Sequence, residues 1–183
     1  MADEPKYASL FAICCTADVS AEVSLSTPSW QTLLTTCDQL KDRFLKTNMD
    51  YMKDEDESIV FVDSTSKVYK HHDTLGSNTP SSSPTSPFRG KSPKDCYRLL
   101  KQLRKKTKSP VDVHTFAILD GTSSNEDTAV LVQIDEEGGV TSARCEFKIA
   151  CAKLNQYYLG DADLDEDMEE ANEDDGDGVI RAG

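Results

Sequence analysis

The stretch that decides the fold is "VDVHTFAILDGTSSNEDTAVLVQID", residues Val111 to Asp135. Two apolar, β-branched runs, Val111 to Asp120 and Asp127 to Asp135, flank a short segment of Gly, Ser, Thr, Asn and acids. Such runs read as strands, and the polar segment Asp120 to Asp127 reads as the turn of a hairpin. The pair is antiparallel by construction. Gly138-Gly139 then turns the chain into a further strand, "TSARCEFK", which alternates and so is expected to be half exposed.

Upstream the pattern changes. "SLFAICCT", Ser9 to Thr16, is continuously apolar, as strands buried on both faces are. "SIVFVD", Ser58 to Asp63, is a second run of this kind. Between them Trp30, Leu33, Leu34, Cys37, Leu40, Lys41 and Phe44 mark a helix. Ser92 caps another, with Pro93 at its first position. Cys96, Leu99, Leu100 and Leu103 form its apolar stripe. Its outer face carries Lys94, Arg98, Lys101, Arg104, Lys105 and Lys106. Such a face can bind calmodulin, an anionic membrane or nucleic acid, but the helix lacks widely spaced aromatic anchors and its apolar stripe is wanted by the core, so a solvated face is expected. A short helix around Ile149 to Asn155 and an apolar "YYL" follow. Strands alternating with helices, plus one hairpin, predict a single α/β or α+β domain over residues 1–183: a mixed sheet of about five strands packed by helices.

One segment interrupts this order. Residues 74–91, within "TLGSNTPSSSPTSPFRGKSP", are rich in Ser, Pro, Thr and Gly and are expected to form a flexible, disordered insertion. Its Ser/Thr-Pro steps suit proline-directed phosphorylation or a plain spacer.

Charge is uneven. The formal net charge is −13 over 183 residues. Eleven carboxylates and no base lie between Asp161 and Asp177, so residues 161–183 carry most of the excess. Within them Leu164, Met168 and Ala171 stand at i, i+4 and i+7. This predicts an amphipathic acidic helix, capped by Asp161 or Asp163, with Val179 and Ile180 docking the terminus. The same region, "EDDGDGVIRAG", imitates the first half of a calcium loop: Glu173, Asp175 and Asp177 at odd positions, Gly178 at position 6. No bidentate Glu follows at position 12 within the sequence, so no metal site is expected there. The expected neighbour of this acidic helix is the basic helix Lys94 to Lys106.

Several functions lack their residues. The acidic balance argues against nucleic-acid binding. No run is long enough to span a membrane, and the acidic start does not read as a targeting signal. Six cysteines without metal spacing suggest a reduced, cytoplasmic protein with buried thiols. No cofactor motif is present. His71 and His72 border the insertion, and His114 is expected in a strand facing a helix.

The chain resembles an uncharacterised family of small α/β proteins in actinobacteria and fungi, catalogued as domain of unknown function 6924. The resemblance lies in "ICCTAD" followed by "SWQTLL", in "VFVD", in "FAILDGTSSNEDTAVLVQID" and in the acidic closing segment, where Ile180 and Ala182 replace the family's Phe and Gly. It implies a fold and a closing structural element, but no activity, cofactor or partner.

The residues that come nearest to a catalytic constellation are Asp18, Asp63 and Asp120, each at the carboxyl end of a predicted strand. Ligands of open α/β sheets bind there, and converging carboxylates can hold magnesium. Asp is equally a common turn residue. Two functions follow: a non-enzymatic interaction or regulatory module with an unknown protein partner, or a metal-dependent enzyme using these carboxylates.

Overall fold

The computed structural model describes residues 10–17, 39–48, 59–70, 86–174 and 176–182. Ten elements follow in order, with a further helix, α1, at residues 39–48 between the first two strands. The strands are β1 (Leu10–Cys15), β2 (Ile59–Val62), β3 (Val111–Leu119), β4 (Thr128–Ile134), β5 (Val140–Glu146) and β6 (Val179–Ile180). The remaining helices are α2 (Pro93–Thr107), α3 (Ser123–Glu126), α4 (Phe147–Leu159) and α5 (Leu164–Asp174).

The strands form one mixed sheet in the order β2-β1-β3-β4-β5-β6. β1 runs parallel to both β2 and β3; β3, β4 and β5 are successively antiparallel; β6 is parallel to β5. The continuous apolar run of β1 is explained by its position. Leu10, Ala12 and Cys14 face one side and Phe11, Ile13 and Cys15 the other, and all six are buried.

Two cores result, one on each face. Cys96, Leu100 and Leu103 of α2 pack with Phe116, Ile118, Val132 and Tyr69 on one side. Leu40 and Phe44 of α1 pack with Phe147, Ala150 and Leu154 of α4, and with Leu164 and Ala171 of α5, on the other. The molecule is thus a three-layer α/β/α domain.

Helix α2 begins as its sequence requires. The Ser92 hydroxyl accepts from the Asp95 N–H at 3.2 Å, Pro93 follows the cap, and Lys108 closes the far end in a left-handed conformation. At α5, the Asp163 carboxylate accepts from the Asp165 N–H at 2.9 Å and so supplies the cap.

The mixed sheet packed by helices is as expected; four details differ. The sheet has six strands, because Val179 and Ile180 pair with Arg144 and Cys145 rather than only docking. The alternation of "TSARCEFK" stops at Glu146: Phe147 starts α4, which runs through "YYL" to Leu159. Residues 86–91, counted in the expected insertion, are held by the fold. Phe88 is fully buried against α2 and β1, the Gly90 N–H donates to the Thr16 carbonyl at 3.0 Å, and the Ser86 hydroxyl to the Cys15 carbonyl at 3.3 Å. Residues 74–85 lie outside the described residues, as do Trp30, Leu33, Leu34 and Cys37. Finally, the acidic and basic helices are not neighbours. Each buries its apolar stripe on a different face of the sheet, and that burial outweighs any attraction between exposed charges.

Candidate functional site

β2, β1 and β3 are adjacent and parallel, so the residues that follow them emerge on one edge. The chain also reverses its direction of crossing here, because α1 covers one face and α2 the other. Such an edge is where open α/β sheets bind ligands. Asp63 follows β2 and Asp120 follows β3; Asp18, beyond β1, lies outside the described residues. With β1 between them, Asp63 and Asp120 are separated by two strand spacings, about 9–10 Å.

Each of the two carboxylates is also held by the fold. Asp63 Oδ1 accepts from the Tyr69 hydroxyl at 2.6 Å, and that hydroxyl accepts from the N–H groups of Asp63 and Ser64 at 3.0 Å each. The Tyr69 N–H donates to Ser109 Oγ at 3.0 Å, fastening the loop after β2 to the end of α2. Burial, followed by the Asp63 carboxylate, pushes the Tyr69 phenol well above its ordinary value.

Asp120 is held more tightly. Arg144 of β5 reaches it with both terminal nitrogens, at 2.6 Å to Oδ2 and 3.3 Å to Oδ1. The Ser123 N–H and hydroxyl both donate to Oδ1 at 3.0 Å, and the Asp120 N–H donates to Ser123 Oγ at 2.9 Å. These bonds close the turn that carries α3. Burial pushes the Asp120 carboxyl upward, but the Arg144 and Ser123 hydrogen bonds and the Arg144 charge outweigh it and hold it below the usual carboxylate range. Arg144 also donates to Thr128 Oγ1 at 3.1 Å. From the opposite face Arg43 of α1 grips the same turn, donating to the Ser124 carbonyl at 2.7 Å and pairing with Asp127.

The other sequence candidates scatter. His114 lies in β3 as expected, exposed beside the Tyr97 ring of α2 at 6.2 Å. His71 and His72 lie outside the described residues. Cys14, Cys15, Cys96, Cys145 and Cys151 are buried. Burial pushes the Cys145 and Cys151 thiols up to about 12, which leaves them protonated and unreactive near neutrality. In the closing segment the Asp177 carboxylate is taken by Arg181 and by the Val179 N–H. Among the described residues no group of three or more His, Cys, Asp or Glu side chains is placed to hold a metal ion, and no helix is long and apolar enough to cross a membrane.

One polar cluster escaped the sequence reading. Tyr157 of α4 donates to Asp167 of α5, and Lys153 pairs with the same carboxylate at 2.7 Å. Both charged side chains are mostly covered, so the triad locks α4 to α5. Lys153 and Tyr157 are four residues apart, which is the only sequence trace of this cluster.

The outer face of α2 is the remaining constellation. Lys94, Arg98, Lys101, Arg104, Lys105 and Lys106 are all exposed. Arg98 pairs with Asp95 at 3.0 Å, and Lys101 lies over the Tyr97 ring at 4.9 Å. Among the described residues Arg104, Lys105 and Lys108 have no carboxylate partner. The C-terminal half of α2 borders an open cleft of about 640 Å³, lined also by Ser109, Pro110 and Val113. This cleft lies at the opposite end of β3 from Asp120.

Comparison with known proteins adds no relative: no family model matches the chain, and neither the curated proteins nor the solved structures contain a match.

Proposed function

We propose that the chain is a non-enzymatic interaction or regulatory module of the cytoplasm, and that the outer face of α2 meets a protein partner. One observation carries this reading. The described carboxylates at this edge of the sheet are spent on Tyr69, Ser123 and Arg144, whereas the bases of α2 are exposed and most lack an acidic partner among the described residues. Unpaired charge on one face steers and selects an oppositely charged partner. The resemblance to the uncharacterised family belongs to the same proposal and brings no activity with it.

The test is a variant that reverses the face without touching the core: Lys94→Glu, Arg98→Glu and Lys101→Glu together. Tagged wild-type and variant chains are compared by affinity purification with quantitative mass spectrometry, after matching their melting temperatures. The expected result is loss of the partners recovered with the wild type. An unchanged partner set would overturn the proposal.

The alternative, a metal-dependent enzyme using Asp18, Asp63 and Asp120, draws support from the adjacency of the three parallel strands. Calorimetry with magnesium or manganese separates the two. A saturable, one-to-one heat abolished by Asp18→Asn would favour the enzyme.

A further inference from the structure

The geometry points to the cleft at the C-terminal end of α2 as a docking site for a short acidic protein segment; this inference rests on the proposed function and names the occupant. Lys101, Arg104, Lys105 and Lys108 stand around the cleft, and Pro110 and Val113 give it an apolar part. Val113 is almost wholly buried, so it forms floor rather than rim. A cleft of this volume falls in the range of ordinary ligand sites. Bases around an apolar floor suit a peptide that carries an apolar residue between acidic ones.

Three features of the surroundings select that occupant. The first is charge complementarity. Helix ends favour bases in the last turn, but that effect fades beyond it. Lys101 lies further up the helix and Lys108 lies past its end, so the cluster exceeds what the helix itself needs. The second is the kind of anion. The last turn of α2 offers carbonyl oxygens, not N–H groups, toward this end. No helix N-terminus therefore adds to an anion site here; the side chains alone hold the ligand, and spread side chains match carboxylates spread along a peptide. The third is the whole-chain charge of −13. It opposes a long polyanion such as a nucleic acid, but costs little to a peptide a few charges long.

The acidic helix α5 of a second copy is the competing occupant. It lies on the far face of its own sheet, so such contacts would run head to tail and produce rings or open chains rather than two-fold dimers.

The experiment is fluorescence anisotropy with a labelled ten-residue peptide of Asp and Glu carrying two Leu residues. Inorganic phosphate and a ten-nucleotide single-stranded DNA serve as competitors. Lys105→Glu tests the cleft. Lys148→Glu, which changes the net charge equally from an exposed site on α4, is the control. Melting curves check that both variants fold, and sedimentation of the unliganded chain tests self-association.

The expected results are saturable peptide binding that weakens with added salt, at least tenfold loss in Lys105→Glu and less than threefold loss in Lys148→Glu. Absence of saturable binding, equal losses in the two variants, displacement by DNA or phosphate, or head-to-tail association of the free chain would each overturn the assignment. If the peptide fails while reversal of Lys94, Arg98 and Lys101 still strips partners, the occupant is wrong and the binding face stands. If both fail, the proposed function falls as well.

Discussion

Replacing Phe88 by Ala tests the most informative departure from the sequence reading. Phe88 lies in a segment whose composition promises no order, yet its ring is fully buried in the core under α2. Losing the ring forfeits about 2–3 kcal/mol of transfer free energy. A residual void on the order of 100 Å³, at about 24 cal/mol per Å³, adds up to about 2 kcal/mol where the walls do not collapse. The sum, about 3–5 kcal/mol, is a large fraction of the 5–15 kcal/mol that typical domains possess. At about 2–4 °C per kcal/mol for this size, the melting temperature should fall by roughly 10 °C. The assay is thermal melting by far-UV circular dichroism, repeated in urea to obtain the midpoint. Deleting residues 74–85 and joining the ends with a short Gly/Ser linker should leave the melt nearly unchanged, whereas deleting 74–91 should cost at least as much as Phe88→Ala. A Phe88→Ala protein that melts within 2 °C of the wild type would refute the burial and restore the spacer reading of the whole segment.

Further expectations concern the polar contacts and the terminus. Because Asp120 is held below its unfolded carboxylate value, its stabilising contribution is fully present above about pH 4 and is lost as pH falls through the lower folded value. The melting-temperature gap between wild type and Asp120→Asn should therefore be larger at pH 7 than at pH 3; a gap independent of pH would show that the Arg144 pair does not stabilise the fold. Asp167→Ala strips both Tyr157 and Lys153 of their acceptor and should cost about 3 kcal/mol or more in urea denaturation, against about 1 kcal/mol for Tyr157→Phe. Equal costs would mean that the lysine is not effectively buried. Ile180→Ala should cost about 2–4 kcal/mol, because its side chain is buried beside β5, while neutralising exposed Asp177 should change the melt little.

How much of this was legible depends on which force decided each element. The both-faces burial of β1 was legible, since only a central strand needs six consecutive apolar residues. The stripe and N-cap of α2 were legible for the same local reason. The start of α4 was hidden: Glu146 makes no side-chain cap bond, and Phe147 fits the alternation of the preceding strand as well as the first turn of a helix. The pairing of β6 was hidden because two residues carry no periodicity. The separation of the charged helices was misread because charge suggested attraction, while Leu164 and Ala171 needed a core on the other face. Asp63 and Asp120 were found by their position at strand ends, but their partners were not. Arg144 is 24 residues from Asp120 and reaches it only because β5 lies two strands away from β3 in the folded sheet.

The central claim is that this chain binds through the basic end of α2 and not through the carboxyl edge of its parallel strands. Hydrogen–deuterium exchange with and without the acidic peptide tests it most directly. The account predicts added protection confined to residues 101–113, with no change at residues 16–17 and 120–124. Protection at the strand ends instead, or no change anywhere under saturating peptide, would contradict it.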